Sequence, residues 1–296
     1  MQPDTGAALP PDWPHRERSR AVQAAGLRWH VQTWPQPRPD APWLLLLHGT
    51  GASAHSYAGL APLLAPHFGL VVPDLPGHAF TQRPRGLGLS LPGMAAAVGG
   101  LLKALGVSPA AIVGHSAGAA VAARLCLDGH AQPQALISLN GAWYPPGGPS
   151  AWWYAPAARL LALNPLAPAL FAWRASQPAT LKRLLRGTGS QLDASGEARY
   201  ARLAGDARHV GAVLAMMAAW DLAPLPVALP RLAAAGTALH LVAAVRDGAV
   251  PPAQAERLAA QLPGAVVHRL PGLGHLAHEE APAVVADLVE RLLAPR

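Results

Sequence analysis

Residues 110–118 read Ala-Ala-Ile-Val-Gly-His-Ser-Ala-Gly, a short apolar run that breaks at a Gly-x-Ser-x-Gly turn and continues into an alanine-rich segment. The pattern predicts a nucleophile elbow, in which a strand turns sharply into a helix and Ser116 sits on the strained turn with its hydroxyl exposed. Gly114 and Gly118 supply the room that strand and helix need to approach each other. Ser116 is therefore a candidate nucleophile, and a glycine-flanked serine in an ordinary turn is the alternative.

Segments of strand and helix character alternate around this turn. Strand-like runs follow a lead-in of about 20 extended residues, at positions 26–34, 43–47, 70–74, 134–140, 238–244 and 265–270. Helical patterns occupy positions 55–65, 92–105, 252–262 and 283–293. This alternation predicts an α/β fold with a mostly parallel central sheet and helices on both faces. Residues 26–34 alternate apolar with polar side chains, as a half-buried strand does.

The alternation stops between residues 142 and 226, where helical patterns recur in pieces such as 180–186 and 199–220. We predict an inserted helical cap over 142–226, between a first core part at 1–141 and a second at 227–296. The chain of 296 residues is long enough for one large domain of this kind.

More than half of the aromatic rings lie in the predicted cap. Because rigid aromatic walls suit an apolar ligand, we expect the cap to select a large, flat or greasy substrate. The candidate substrate-binding residues are Trp143, Trp152, Trp153 and Trp220. The alternative is that these rings form the cap's own core.

Composition restricts the classes of partner and cofactor. The formal net charge is +7, but the basic residues are dispersed, so no nucleic-acid partner is expected. The single cysteine, Cys126, is predicted to be buried and inert. No His or Cys pair has a recognisable ligand spacing, so we predict no metal and no cofactor.

The first residues show no secretory signal, and a cytoplasmic location is expected. The most apolar stretch, residues 151–173, is interrupted by prolines and contains Arg159. A peripheral membrane contact through the cap therefore fits this stretch better than a membrane span.

A serine nucleophile needs a histidine base and a carboxylate that orients the histidine, and after this kind of elbow they follow in the order Ser, acid, His. Asp247 follows the run at 238–244, and His275 follows the run at 265–270. We predict a triad of Ser116, His275 and Asp247. His278 is an alternative to His275 as the base. Asp221 and Asn140 are alternatives to Asp247 at the acid position.

The loop after residues 43–47 is rich in glycine and predicts an oxyanion hole. The N–H groups of Thr50 and Ala117 are its candidate donors. We expect His48 to brace this loop and His115, inside the elbow, to serve in packing.

Several segments together resemble the α/β-hydrolase superfamily over roughly residues 12–294. They are residues 48–51 (His-Gly-Thr-Gly), 74–78 (Asp-Leu-Pro-Gly-His), 114–118, Asp247 and 274–275 (Gly-His). Within that superfamily, four segments resemble the hydrolase-like magnesium-chelatase accessory proteins of bacteriochlorophyll biosynthesis, namely 12–14, 26–31, 184–190 and 215–220. One departure is Ala79, where many members of the superfamily carry glycine.

The resemblance implies a role in photosynthetic bacteria that supports magnesium insertion into a tetrapyrrole, with a contact to magnesium chelatase. Two functions follow as expectations. The first is a serine hydrolase that cleaves an ester or related acyl bond of an apolar substrate. The second is a non-catalytic protein that binds or delivers a tetrapyrrole for the chelatase.

Overall fold

The computed structural model describes residues 9–145 and 166–294. Over these residues the chain forms one eight-stranded sheet in the order β1-β2-β4-β3-β5-β6-β7-β8. The strands are β1 (Ser19–Ala24), β2 (Leu27–Trp34), β3 (Trp43–Leu47), β4 (Gly69–Pro73), β5 (Ala111–His115), β6 (Ala135–Leu139), β7 (Ala238–Ala244) and β8 (Val266–Leu270). β2 pairs antiparallel with β1 and β4, and all other neighbours are parallel. The predicted mostly parallel sheet is confirmed.

Helices connect the parallel strands and follow them. They are α1 (Ala61–Leu64), α2 (Leu91–Leu105), α3 (Ala117–Leu127), α4 (Ala167–Ser176), α5 (Pro178–Gly187), α6 (Ala194–Ala204), α7 (Ala207–Ala219), α8 (Pro224–Ala228), α9 (Pro230–Ala234), α10 (Ala253–Gln261), α11 (Ala277–Glu280) and α12 (Pro282–Leu293). Single 3-10 turns form at Arg16–Arg18, Ala54–Tyr57 and Gly86–Leu89.

The sheet has a hydrophobic core on each face because successive side chains of a strand point in opposite directions. In β3, Leu45 and Leu47 pack with residues of α2 and α3. Leu44 and Leu46 pack instead with residues of α1 and α12. The continuous leucine run of β3 therefore serves two cores at once, as expected for a strand covered on both faces.

The N-terminal lead-in is more structured than its sequence predicts. Its last residues join β1, which pairs with β2 at the edge of the sheet. β2 is also more buried than its alternation predicts, because its polar side chains have partners. Gln32 donates a hydrogen bond to the Pro14 carbonyl over 2.6 Å, and the His30 ring bonds Asp74 over 2.8 Å.

Two predicted helices are divided in the structure. The pattern at 55–65 becomes the 3-10 turn Ala54–Tyr57 and the short α1, whose first turn contains a proline. Proline lacks an N–H and is tolerated only in a first helical turn, so a new helix begins there. The pattern at 199–220 becomes α6 and α7, because the side chain of Asp206 caps α7 by accepting from the Arg208 N–H.

Helices α4 to α7 lie within the predicted cap and pack on one another, α4 against α6 and α7 in particular. Trp152 and Trp153 lie outside the described residues. Among the described helices, none by itself is long and apolar enough to cross a membrane, although α7 and the α8–α9 segment, bent by 65°, pass that test together.

Candidate active site

Ser116 occupies the turn between β5 and α3 and has φ 49° and ψ −116°, a positive-φ conformation that L-residues rarely adopt. A Cβ on Gly118 would lie 2.1 Å from the Leu47 carbonyl oxygen, and one on Gly114 would lie 2.6 Å from the Ala119 backbone. Both positions therefore require glycine for the turn to close. Ser116 is 8% exposed, and its hydroxyl makes no hydrogen bond to another residue in the described ranges.

The carboxylate and imidazole predicted to assist Ser116 are in direct contact. Asp247 follows β7 and His275 follows β8, and His275 Nδ1 lies 2.7 Å from Asp247 Oδ2. Because a carboxylate can only accept, the ring nitrogen donates, which leaves His275 Nε2 as the atom available for proton transfer. Both residues are buried.

Asn140 is a partner of the acid. It follows β6 with φ 49°, and its Nδ2 donates to Asp247 Oδ2 over 2.7 Å. The other carboxylate oxygen accepts from the N–H groups of Ala249 and Val250 over 2.7 and 2.8 Å. Asp247 is thus fixed by side chains and backbone together. The sequence suggests Asn140 only as a rival for the acid position and does not predict this supporting role.

The other two rivals lie in unsuitable surroundings. Asp221 is exposed, and its side chain accepts from the Ala223 N–H over 2.9 Å at the end of the cap. The His278 ring is fully buried between Tyr57 and His115, with its centroid 4.5 Å from that of His115. Burial lowers the pKa of His278 to about 3, so it is a poor proton acceptor at neutral pH.

The candidate oxyanion loop lies against the elbow. A Cβ on Gly49 would lie 3.1 Å from the Ser116 Cβ and 2.7 Å from His115 Nδ1. Within the described residues, neither the Thr50 N–H nor the Ala117 N–H has a hydrogen-bond acceptor. N–H groups without an acceptor are what an oxyanion hole requires, so both groups stay its candidate donors.

Three histidines hold the loops around the site. His48 Nδ1 bonds the Gly49 carbonyl over 2.8 Å, and its Nε2 accepts from the Leu75 N–H over 2.9 Å. Burial lowers the pKa of His48 to about 4 and keeps the ring neutral. His115 Nε2 donates to the His275 carbonyl over 3.0 Å, so it links the elbow to the base loop in addition to packing.

The third histidine comes from the cap. His209, on α7, accepts from the Ala79 N–H at Nδ1 over 3.0 Å and donates from Nε2 to the Gly51 carbonyl over 3.1 Å. Ala79 has φ 43°, so the turn keeps a left-handed conformation with alanine where many members of the superfamily carry glycine. No local pattern predicts this role of His209, because its partners lie 130 and 158 residues away along the chain.

The described candidate ligand-facing tryptophans have structural partners. Trp143 is 1% exposed within the core. Trp220 is partly buried against that core and donates from Nε1 to the Leu89 carbonyl over 2.9 Å. Packing accounts for both positions, and their role in substrate binding stays a prediction.

The Cys126 thiol is mostly buried, and burial raises its pKa to about 12.

A family model described as "Alpha/beta hydrolase family" matches residues 44–288. The chain belongs to the α/β-hydrolase family. Within the described parts of this α/β hydrolase, no group of three His, Cys, Asp or Glu side chains could hold a metal ion.

Relatives of this α/β hydrolase include a protein named "Magnesium-chelatase 30 kDa subunit" from Rhodobacter capsulatus. It is 38% identical over 283 residues, which cover 95% of this chain and 96% of the relative. The Fluoroacetate dehalogenase of Burkholderia sp is 35% identical over 104 residues, covering 34% of this chain and 33% of that protein. The chain is therefore homologous to the chelatase subunit along nearly its whole length.

Solved structures share the fold. The enol-lactonase from Burkholderia xenovorans LB400 superposes with a TM-score of 0.74 at 20% identity, covering 93% of this chain and 99% of that chain. A thermophilic esterase from Thermogutta terrifontis superposes with a TM-score of 0.71 at 18% identity, covering 93% and 97%. At these identities the likeness concerns the fold alone.

Proposed function

We propose that the chain is a serine hydrolase that cleaves an ester or related acyl bond of an apolar substrate. The observation that carries the proposal is the 2.7 Å contact between His275 Nδ1 and Asp247 Oδ2, in a loop that His115, the residue before Ser116, bonds at the His275 carbonyl over 3.0 Å. A buried Asp–His pair at the ends of adjacent strands has little value for stability alone, but it is what a serine nucleophile needs.

The proposed reaction proceeds through an acyl-enzyme. His275 Nε2 takes the Ser116 hydroxyl proton as Oγ attacks the acyl carbon, and Asp247 stabilises the resulting imidazolium. The N–H groups of Thr50 and Ala117 stabilise the negative charge on the former carbonyl oxygen. His275 then protonates the leaving group, which departs and leaves the acyl-enzyme. In the second half, His275 deprotonates a water molecule that attacks the acyl carbon, and the acid and the free Ser116 hydroxyl are released.

The substrate we propose is a tetrapyrrole or a similarly flat, apolar molecule. The proposal rests on homology to the Magnesium-chelatase 30 kDa subunit and on the aromatic-rich cap. We further propose a role in bacteriochlorophyll biosynthesis, linked to magnesium chelation, with a contact to the chelatase. The same homology favours a second candidate function, a non-catalytic accessory protein that binds or delivers the tetrapyrrole.

A fluorophosphonate probe separates the two functions, because only an activated serine reacts with it. We expect the full chain to be labelled and Ser116→Ala to be unlabelled while it keeps its fold by circular dichroism. Ser56→Ala is a control variant, because Ser56 is also buried but lies in a different turn. An unlabelled wild-type protein whose tryptophan emission is quenched saturably by protoporphyrin would favour the accessory function.

The cap also carries the proposed membrane contact. Leu170 and Trp173 on α4 are 61% and 62% exposed, and Leu184 on α5 is 56% exposed. Lys182 and Arg183 adjoin Leu184 and are exposed. Exposed apolar groups beside cations suit an anionic lipid surface.

Vesicle sedimentation tests the membrane contact. The protein should sediment with vesicles that contain anionic phosphatidylglycerol and much less with neutral phosphatidylcholine. The double variant Leu170→Ser with Trp173→Ser should lose this binding, whereas Val284→Ser, at an apolar residue that is 49% exposed on α12 and outside the predicted cap, should retain it.

A further inference from the structure

A segment of the cap lies between the loops that carry the acid and the base. Residues 187–190 (Gly-Thr-Gly-Ser), which we call the strap, begin at the last residue of α5. The Thr188 carbonyl accepts two hydrogen bonds, from the Gly248 N–H over 3.0 Å and from the His275 N–H over 3.1 Å. One oxygen of the cap thus connects the residue after Asp247 to His275 itself.

The three backbones approach so closely that side chains are excluded. A Cβ on Gly189 would lie 1.8 Å from the Arg246 carbonyl oxygen. One on Gly274 would lie 2.3 Å from the Gly189 carbonyl carbon, and one on Gly248 would lie 2.4 Å from the Gly187 carbonyl oxygen. Real Cβ contacts this short do not occur. The contact with the strap therefore explains why glycine follows Asp247 and why glycine precedes His275.

The N–H groups of residues 274, 275 and 276 each donate a hydrogen bond to a residue outside the loop between β8 and α11. The Gly274 N–H donates to Glu280 Oε1 over 2.9 Å, and the Leu276 N–H donates to the Ser190 hydroxyl over 2.8 Å. The His275 N–H donates to the strap as described. Ser190 is 2% exposed, so its bond to Leu276 is shielded from water.

Glu280 adds a second link between the strap side and the base loop. Its Oε2 accepts from the N–H of Gln191, the residue that follows the strap, over 3.1 Å. The carboxylate therefore bridges Gln191 and Gly274. The base loop is held by main-chain and carboxylate contacts on one side and by the Asp247 contact on the other.

We propose that the strap is a positioning element that sets the orientation of the His275 ring relative to Asp247 and Ser116. This inference rests on the proposed function, in which His275 transfers the proton. The β7–β8 ladder ends at Ala244 and Leu270, and beyond it the two loops share a direct main-chain bond, from the Arg246 N–H to the Leu273 carbonyl over 2.9 Å. The strap supports both loops beyond that bond, beside Asp247 and at His275. Because a displacement of about 1 Å can cost about 100-fold in rate, this support determines turnover rather than substrate affinity.

Ser190→Ala is the main test, because it removes a single hydroxyl and leaves the Leu276 N–H without its acceptor. With a p-nitrophenyl ester as substrate, we expect kcat to fall between about tenfold and about 100-fold with KM changed less than about twofold. Ser190→Thr retains the hydroxyl and should restore most of kcat. Ser195→Ala, at an exposed serine of the same cap, is the matched control.

A second readout does not depend on activity. The His275 Nδ1 proton, shared with Asp247, should give a low-field proton NMR signal in the wild-type protein. Ser190→Ala should broaden or shift that signal and speed its exchange with water, while Ser195→Ala leaves it unchanged. Gly189→Ala, if it folds, should have a larger effect than Ser190→Ala because its Cβ collides with the Arg246 carbonyl.

The outcomes separate the two proposals. A wild-type protein without labelling or esterase activity, but with the expected change of the His275 signal, would refute the proposed hydrolase and support the strap. Wild-type kcat in Ser190→Ala would overturn the strap. So would a kcat loss with an unaltered His275 signal and a lower melting temperature, since that result indicates a merely structural role.

Discussion

The two sides of the candidate site are held by different chemistry. On the oxyanion side, the imidazoles of His48 and His209 connect the loop after β3 to the turn after β4. On the acid–base side, the Thr188 carbonyl connects the Asp247 and His275 loops through main-chain N–H groups. Imidazoles titrate near neutral pH, whereas peptide groups do not. We therefore expect acid to weaken the hydrogen bonds on the oxyanion side first.

The largest effect is expected from the acid–base side itself. Asp247→Asn should lower kcat by about 10⁴-fold, the loss that follows amidation of the triad aspartate in another serine hydrolase. The cause is the imidazole tautomer, because an amide no longer requires His275 to donate from Nδ1. Steady-state ester hydrolysis measures this loss.

Asp221→Asn, at an exposed aspartate, is the control and should retain wild-type kcat. A loss below about tenfold in Asp247→Asn would mean that the 2.7 Å contact is structural.

The acid–base side also contains a carboxyl group whose pH dependence has the opposite sign to that of histidine. Burial raises the pKa of Glu279 to about 8 from the ordinary 4.5, and its Oε1 accepts from the Tyr200 hydroxyl over 2.6 Å. The folded protein therefore binds a proton that the unfolded chain has released. This contribution to stability is complete below pH 4.5 and is lost as pH rises through 8.

Glu279→Gln should consequently raise the free energy of unfolding at pH 9, by an amount on the order of 5 kcal/mol, with much less effect at pH 4.5. Urea unfolding at the two pH values measures the difference. Glu17→Gln, at an exposed glutamate, serves as control. If Glu279→Gln destabilises the protein equally at both pH values, Glu279 is ionised in the fold.

The oxyanion side should respond to acid. Burial lowers the pKa of His48 from 6.5 to about 4. Between these pH values the unfolded chain binds a proton at His48 and the folded protein does not. Stability is full above pH 6.5 and declines as pH falls toward 4. His48 alone accounts for about 2 kcal/mol between pH 7 and pH 5.

His48→Gln should reduce this acid slope, and urea unfolding at pH 7 and pH 5 measures it. His67→Gln, whose side chain is 58% exposed, should leave the slope unchanged. An acid slope that is the same in His48→Gln and the wild type would assign the decline to other buried histidines.

The smallest effect is expected where the cap holds the oxyanion loop. His209→Ala removes the bonds to the Gly51 carbonyl and the Ala79 N–H. We expect kcat/KM to fall about tenfold, less than the loss of about 100-fold or more that follows removal of an oxyanion donor itself. Ester hydrolysis measures it, with the exposed His130→Ala as control. A wild-type kcat/KM would show that the core alone orders this loop.

Part of this protein was determined by its sequence. The leucine run of β3 and the glycines around Ser116 are local signals, because strand burial and a sharp turn depend on neighbours along the chain. The same holds for the order of Ser116, Asp247 and His275. The sequence did not predict β1, because its strand character arises from its pairing with β2 and not from its own residues.

Only the tertiary structure decided what holds the site together. Asn140 meets Asp247 across 107 residues, and His209 meets Ala79 and Gly51 across 130 and 158. The sequence does not indicate any contact for the glycines at 189, 248 and 274, and only the packed backbones show why a side chain cannot replace their hydrogens. Hydrogen bonds and steric exclusion act over a few ångströms in space, and chain separation does not encode that proximity.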